Sequence, residues 1–246
     1  MPAYNAEKTI AASINSVLSQ TYGEWELIVI NDASTDTTVQ IVHAFAENEP
    51  RIQLYTNDKN MGISGSRNIG IRQAQSQWVA FLDSDDCWCS SKLQKQLDFM
   101  AKTSAKITYT GTAYINEESQ LSNYVLRVKK ALTYRDLLKA NVMSCSSIVV
   151  HKDLMLRYPF PEGFLHEDYV VWLQILNEVG IAYGLDEPLL LYRLSGGSKS
   201  GNRIKSAKMT FHAYRKVGYN TFLSLLLTMR YAFHSIPKRG KIKAGW

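Results

Sequence analysis

Three carboxylates, Asp83, Asp85 and Asp86, stand at the end of the apolar run in WVAFLDSDDCW, Trp78 to Trp88. Carboxylates two residues apart repel each other, so their pKa values rise unless a cation lies between them. A hard divalent ion meets that need: Mg²⁺ or Mn²⁺ takes oxygen ligands, one or two of them carboxylates, and fills its shell with water and substrate phosphates. The plainer alternative is that Asp85 or Asp86 caps a helix suggested by Ser90 to Met100. Two other segments carry polar chemistry. In NMGISGSRNIGI, Asn60 to Ile71, Gly62 and Gly65 permit a loop whose amides and Arg67 would hold an anion, or else a simple turn beside a solvated arginine. In FLHEDYVVWLQILNEVG, Phe164 to Gly180, Glu167 and Asp168 open a predicted helix, either as catalytic acids or because acids at a helix start gain about 0.3–1 kcal/mol.

These groups need a scaffold, and the apolar pattern supplies one. Val79 to Leu82 reads as a buried strand with its carboxyl end at the acids, the place where open α/β sheets put their ligands. Before it, a helix over Ala6 to Thr21, a strand over Glu26 to Ile30, a helix over Thr37 to Glu47 and a strand over Ile52 to Tyr55 alternate, which predicts a parallel sheet covered on both faces. Met1 to Asn5 reads as a loop. Beyond the acids the alternation stops: Ile107 to Val128 suggests antiparallel or edge strands, Tyr134 to Ala140 a short helix, Ser147 to Val150 and Leu189 to Tyr192 strands. SGGSKSGN, Ser195 to Asn202, reads as a mobile polar loop, and two basic helices, Ile204 to Tyr219 and Thr221 to His234, close the chain.

The 246 residues suffice for one large domain with an appendage. Cys87, Cys89 and Cys145 support no disulfide framework and lack the histidines of a zinc site, which fits a reducing cytoplasm. The net charge of +6 hides an asymmetry: no Asp or Glu follows Glu187, and 12 of the 28 Lys and Arg lie from Leu189 onward, leaving 16 basic against 22 acidic residues before them. The tail is a separate electrostatic object. No signal peptide is visible. Phe222 to Phe233 is about half the roughly 20 residues that span a bilayer, and Arg230 interrupts it, so it is expected to lie on a membrane rather than cross one. No nucleic-acid module or aromatic-basic interleaving is present.

Pro2-Ala3-Tyr4-Asn5, the Gln20-Thr21 helix end, Asn31 to Asp36, Asn60 to Gly70, Asp83-Ser84-Asp85-Asp86 and Glu167-Asp168 occur in that order. The set resembles the landmarks of family-2 glycosyltransferases over about residues 1 to 200. The resemblance implies a GT-A fold, an α/β, Rossmann-like, mostly parallel sheet flanked by helices, followed by a basic helical extension over 201–246. Residues 1–86 would be the nucleotide-sugar half and 87–200 the acceptor half. It implies that Pro2, Ala3, Tyr4, Asn5 and Asp32 hold the nucleoside, with Asp32 facing the base and Asn31 replacing a frequent Asp. Arg67 and Ser84 would join the donor side. Asp83, Asp85 and Asp86 would hold Mn²⁺ or Mg²⁺, and Asp168 matches the general base. Family members carry an apolar strand just before the Pro2 to Asn5 loop. None precedes it here, so the given start is expected to be internal to the natural reading frame.

The resemblance implies inverting transfer of a sugar from a nucleotide-sugar donor, UDP-sugars first, to a hydroxyl of a glycan or lipid-linked acceptor in bacterial lipopolysaccharide, capsule or exopolysaccharide synthesis. A nucleotidyltransferase and a non-catalytic, membrane-associated nucleotide-binding module are the competing readings. Leu225, Leu226, Leu227, Tyr231 and Phe233, with Arg230, Lys238, Arg239, Lys241 and Lys243, are expected either to rest on an anionic membrane surface or to pack on the catalytic domain with a solvated basic end. The expected location is cytoplasmic, at the inner face of the cytoplasmic membrane if the tail binds there.

Overall fold

The computed structural model describes residues 1–163, 166–194 and 203–244, with side chains from 206 to 234 in the last stretch. The Ser195 to Asn202 loop reading lies outside the described residues. The first half follows the predicted alternation: β1 (Pro2–Ala3), α1 (Ile10–Leu18), β2 (Leu27–Asn31), α2 (Thr38–Ala46) and β3 (Ile52–Thr56). The three strands form one parallel sheet in the order β1-β2-β3, pairing Pro2 with Ile30 and Leu27 with Ile52. All five residues of β2 are buried, as a parallel strand covered on both faces requires. The sequence places Pro2 and Ala3 in a loop, but Ile30 N–H donates to Met1 O and Asp32 N–H to Ala3 O, each at 2.8 Å, which aligns them as a short strand.

After α3 (Gly62–Gln73) come β4 (Trp78–Ala80), β5 (Cys87–Trp88), α4 (Lys92–Thr103), β6 (Ile107–Ile115), β7 (Leu121–Leu126), β8 (Ala131–Thr133), α5 (Tyr134–Leu137) and a single 3₁₀ turn at Cys145–Ser147. Then follow β9 (Val149–His151), α6 (Lys152–Arg157), α7 (Glu167–Val179), β10 (Ile181–Arg193), α8 (Arg203–Lys216) and α9 (Thr221–Ala244). The second sheet runs β4-β9-β6-β10-β5, with β7 on β6 and β8 on β10. It is mixed: β6 and β10 are parallel, while β4 with β9, β6 with β9, and β5 with β10 are antiparallel.

Four expectations change. Most of the Asn60 to Ile71 loop is helix, because α3 begins at Gly62, whose φ of +74° turns the chain into it. Asp85 and Asp86 do not cap α4, whose N-cap is Ser91. The expectation of antiparallel or edge strands over Ile107 to Val128 holds for β7, which lies outermost and antiparallel to β6, but not for β6, whose nine residues are all buried between β9 and β10. Its threonines mimic a solvated face, but Thr108 Oγ1 accepts from buried Gln96 and Thr110 Oγ1 donates to Gly111 O. Finally, the strand expected over Leu189 to Tyr192 is the end of β10, which is 13 residues long and runs through Asp186-Glu187-Pro188 with register shifts on either side of Pro188.

The main core gathers Phe81, Tyr109, Phe160, Tyr169 and Trp172 between the second sheet and α7, and a second core joins α1, α2 and β2 through Ile10, Ile14, Val29 and Val42. The two sheets share no strand pairing among the described residues. Between them lies an apolar cavity of about 530 Å³, bordered by Leu27, Ile28 and Ile30 on one side and Val79, Phe81 and Leu82 on the other. This is where the sheet is interrupted, beside Pro2 and Ala3.

Candidate active site

The turn after β4 presents its three acids in three different environments. Asp83 is a quarter exposed, and its Oδ1 accepts from Arg67 Nη2 at 2.6 Å. Its backbone N–H donates to Ser146 Oγ at 3.1 Å, which fixes the turn to the 3₁₀ segment. Asp85 is exposed. Asp86 points inward at 1% exposure, with Oδ1 accepting from Arg193 N–H at 3.0 Å. Its Oδ2 has no hydrogen-bond partner among the described residues. Burial, then the charges of Asp85 and Asp83, push the Asp86 carboxyl well above the usual carboxylate range, against the pull of Ser146 and Arg193.

Arg193, at the end of β10, locks the turn from the far side. Its Nε donates to Asp85 O at 2.9 Å, and its Nη1 donates to Asn116 O at 2.8 Å and Ser119 Oγ at 3.0 Å. One guanidinium thus ties the acidic turn to the β6–β7 connection.

The second acidic site meets the first at Arg67. This residue lies inside α3 with its side chain 3% exposed, and Nη1 reaches Glu167 Oε1 at 2.9 Å while Nη2 holds Asp83. Burial opposes its charge, but Asp83 and Glu167 outweigh that cost and its pKa rises. Glu167 and Asp168 occupy the first turn of α7 as predicted, entered through His166 with a φ of +69°. Asp168 lies partly exposed in a deep setting, and its Oδ1 accepts from Tyr169 N–H at 2.7 Å. Burial, then Glu167, push its carboxyl up to about 7, while Arg67 and the Tyr169 amide act in the opposite direction. A carboxylate so placed is a far stronger base than a free one.

The two loops assigned to the nucleoside are knit together. Asn5 N–H donates to Ser34 Oγ at 3.0 Å and Thr35 N–H donates to Asn5 Oδ1 at 2.8 Å. Glu7 Oε2 accepts from Thr37 Oγ1 at 2.8 Å, and Asp36 Oδ2 accepts from Glu7 N–H at 3.1 Å. Tyr4 stays 52% exposed, a ring available for stacking. Asp32 is 3% exposed, and its carboxylate accepts from Asn57 Nδ2, Met61 N–H and Gly62 N–H at 2.7–2.8 Å. It caps the start of α3 and spends most of its acceptor capacity on its own chain.

The structure therefore brings Asp83, Ser84, Asp85, Asp86, Arg67 and Asp168 into one region and sets Pro2, Ala3, Tyr4, Asn5 and Asp32 in a neighbouring one. Among the described residues, no group of three or more His, Cys, Asp or Glu side chains is arranged to hold a metal ion. In this arrangement Arg67 holds Asp83, and Asp86 turns inward. Two oxygen ligands in this turn, exposed Asp85 and Asp86 Oδ2, which has no hydrogen-bond partner among the described residues, suit an ion such as Mg²⁺ or Mn²⁺ that completes its shell with water and phosphate. Arg67 is turned to the two acids rather than outward. Arg193, and Glu167 as an ion-pair partner, escape the sequence reading, because each acts through a contact between residues 100 to 108 positions apart.

The family described as Glycosyl transferase family 2 matches residues 1–159. The putative teichuronic acid biosynthesis glycosyltransferase TuaG of Bacillus subtilis (strain 168) is 33% identical over 239 residues, covering 97% of this chain and 95% of TuaG. The UDP-Glc:alpha-D-GlcNAc-diphosphoundecaprenol beta-1,3-glucosyltransferase WfgD of Escherichia coli is 38% identical over 240 residues, covering 97% and 92%. Among solved structures, S. aureus TarS in complex with UDP-GlcNAc superposes with a TM-score of 0.74 at 19% identity, covering 96% of this chain and 71% of that one. The mannosyltransferase PcManGT of Pyrobaculum calidifontis, in complex with GDP-Man and Mn²⁺, gives 0.67 at 17% identity, covering 99% and 71%.

Proposed function

The chain belongs to glycosyl transferase family 2, and from that premise we propose that it moves a sugar, with inversion, from a nucleoside diphosphate sugar to a hydroxyl of a lipid-linked glycan in bacterial surface-polysaccharide synthesis. UDP is the carrier of first choice, since WfgD is named for UDP-Glc and TarS binds UDP-GlcNAc. Residues 1–200 are the catalytic unit in this reading, and the reaction takes place at the inner face of the cytoplasmic membrane, where the lipid-linked acceptor named for WfgD would be met.

The observation that carries the proposal is the Arg67 bridge. It sets a cation-seeking acidic turn beside a carboxyl whose pKa stands near 7, the two functions that a single displacement at an anomeric carbon requires. Asp85 and Asp86 would hold Mn²⁺ or Mg²⁺, with Asp83 kept in place by Arg67. A divalent ion bound there supplies Lewis acidity to the leaving diphosphate, worth several kcal/mol. The knit loops of Asn5 and Ser34 to Asp36 place the nucleoside, and Tyr4 offers its ring to the base. Asp168 accepts the proton of the acceptor hydroxyl as its oxygen bonds to the anomeric carbon and the bond to the diphosphate breaks. Holding the acceptor and donor in line carries much of the rate.

Calorimetric titration of the purified chain with UDP, GDP, dTDP and CMP, with and without Mn²⁺, tests this reading. Metal-dependent binding of one nucleoside diphosphate is expected. A folded protein that binds none of them, or that releases pyrophosphate rather than a nucleoside diphosphate on turnover, overturns it.

A further inference from the structure

The last helix is amphipathic in an inverted sense. The inward side of α9 carries Ser224 at 0% and Thr228 at 8% exposure, with Leu227 and Tyr231 half-buried against the main core. Its outward side carries Phe222 at 69%, Leu226 at 44%, Met229 at 54% and Phe233 at 77% exposure, spaced by four, three and four residues, with Leu225 beside them. That spacing sets them in one stripe. Large apolar side chains in a continuous exposed row mark a contact surface rather than ordinary surface scatter. Of the residues expected either to rest on a membrane or to pack on the catalytic domain, Leu227 and Tyr231 belong to the inward, packed side.

We propose that this stripe is a docking face for an anionic lipid bilayer. The occupant is argued from charge. Arg230 adjoins Met229 and is exposed, the same helix continues through Lys238, Arg239, Lys241 and Lys243, and no acidic residue follows Glu187. An apolar row continued by an all-basic segment fits the acyl boundary and the headgroups of an anionic leaflet together. Among the described residues no helix is long and apolar enough to cross a membrane, so α9 lies in the surface plane. Its inward side joins the site: the Tyr231 ring packs on Tyr169 at 5.6 Å between centroids, and Tyr169 follows Asp168 in α7. The docked helix is thus one side chain away from the turn that holds the proposed base. The choice of a bilayer over other partners rests in part on the lipid-linked acceptor proposed above; the docking itself is measured without donor or acceptor, so either can fail alone.

The test is co-sedimentation of the full chain with vesicles of phosphatidylglycerol and phosphatidylcholine, against pure phosphatidylcholine. The chain is expected to pellet with the anionic vesicles and weakly with the neutral ones. A variant combining Phe222→Ser, Leu226→Ser, Met229→Ser and Phe233→Ser should lower the partition coefficient at least about tenfold, and so should one with Lys238, Arg239, Lys241 and Lys243 changed to Gln. These stripe positions are exposed, and an unchanged far-UV spectrum and Tm confirm the fold of each variant. A chain that stays in the supernatant overturns the proposal, as does a four-serine variant that binds like the parent. So does a concentration-dependent dimer, in sedimentation velocity, that the serines abolish while vesicle binding persists.

Discussion

At the end of β4, Asp83 is held by Arg67 and Asp86 by the Arg193 amide. At the start of α7, Glu167 takes the other arm of the same Arg67, and Asp168 accepts from the amide of the next residue. The two sites are three α-helices and five strands apart in sequence order but share one buried guanidinium. Burial and the neighbouring acids push Asp86 well above the usual carboxylate range, and burial with Glu167 pushes Asp168 up to about 7, a proton acceptor near neutrality where a hydroxyl is to be deprotonated. The difference between the sites lies in their partners: the turn after β4 is fixed by Arg67 and Arg193, whereas Asp168 is bonded within its own helix.

The largest effect expected is at the acceptor side. Asp168→Asn keeps the shape but removes the base, and should lower turnover by roughly 10² to 10⁴ while UDP titration in Mn²⁺ stays unchanged. Near-normal turnover would remove Asp168 from the proton transfer. The donor side should answer in the opposite manner: Asp85→Ala should weaken Mn²⁺-dependent nucleotide binding, and equal affinity with and without the acid would detach the turn from the cation.

Arg67→Met strikes both sites at once. Leaving Asp83 and Glu167 without their buried partner should cost about 3–5 kcal/mol of stability, read by urea unfolding. Because Arg67 acts to lower the Asp168 pKa, its loss should also move the ascending limb of the rate profile above pH 7. In the parent that limb should rise through about pH 7, as Asp168 gives up its proton. The stability dependence has the opposite sign. The folded state retains a proton on Asp168 that the unfolded chain has lost above about pH 4, so this group lowers stability as pH rises from about 4 to 7. Asp168→Asn should flatten both slopes, and a limb unmoved by either substitution would assign it to another group.

How much of this is legible in the sequence differs between the halves. The β2 run LIVIN and the α1 pattern Ile10, Ile14, Val17 announce themselves because burial is dictated by local periodicity. The acids at 83, 85, 86, 167 and 168 are visible for the same reason: each sits at a strand or helix end. What could not be read is pairing. Arg67 and Glu167 are 100 residues apart, and Arg193 and Asp85 are 108. Thr108, Thr110 and Thr112 misled because their hydroxyls find partners inside, which turns a polar-looking alternation into a buried central strand. The strand expected over Leu189 to Tyr192 is longer because a bulge lets β10 continue through Asp186-Glu187-Pro188.

The smallest expected effect separates the two sites by backbone alone. Each is entered through a non-glycine residue in the left-handed region: Ala33 at φ +60°, just after Asp32, and His166 at φ +69°, just before Glu167. Alanine has no side-chain hydrogen bond to offset the clash of its Cβ with the following carbonyl, whereas histidine is several-fold enriched among residues that adopt this conformation. Ala33→Gly removes the clash at the cost of a looser unfolded chain, for a net gain of at most about 1 kcal/mol. In a chain of this length that is a rise in Tm of about 2–4 °C. His166→Gly should gain less or lose, since the imidazole also packs edge-on against Tyr169 at 6.5 Å. Equal shifts in the two variants would mean that both loops store the same strain. A gain confined to Ala33 would mean that the donor loop accepts a cost the acceptor helix offsets through its own side chain.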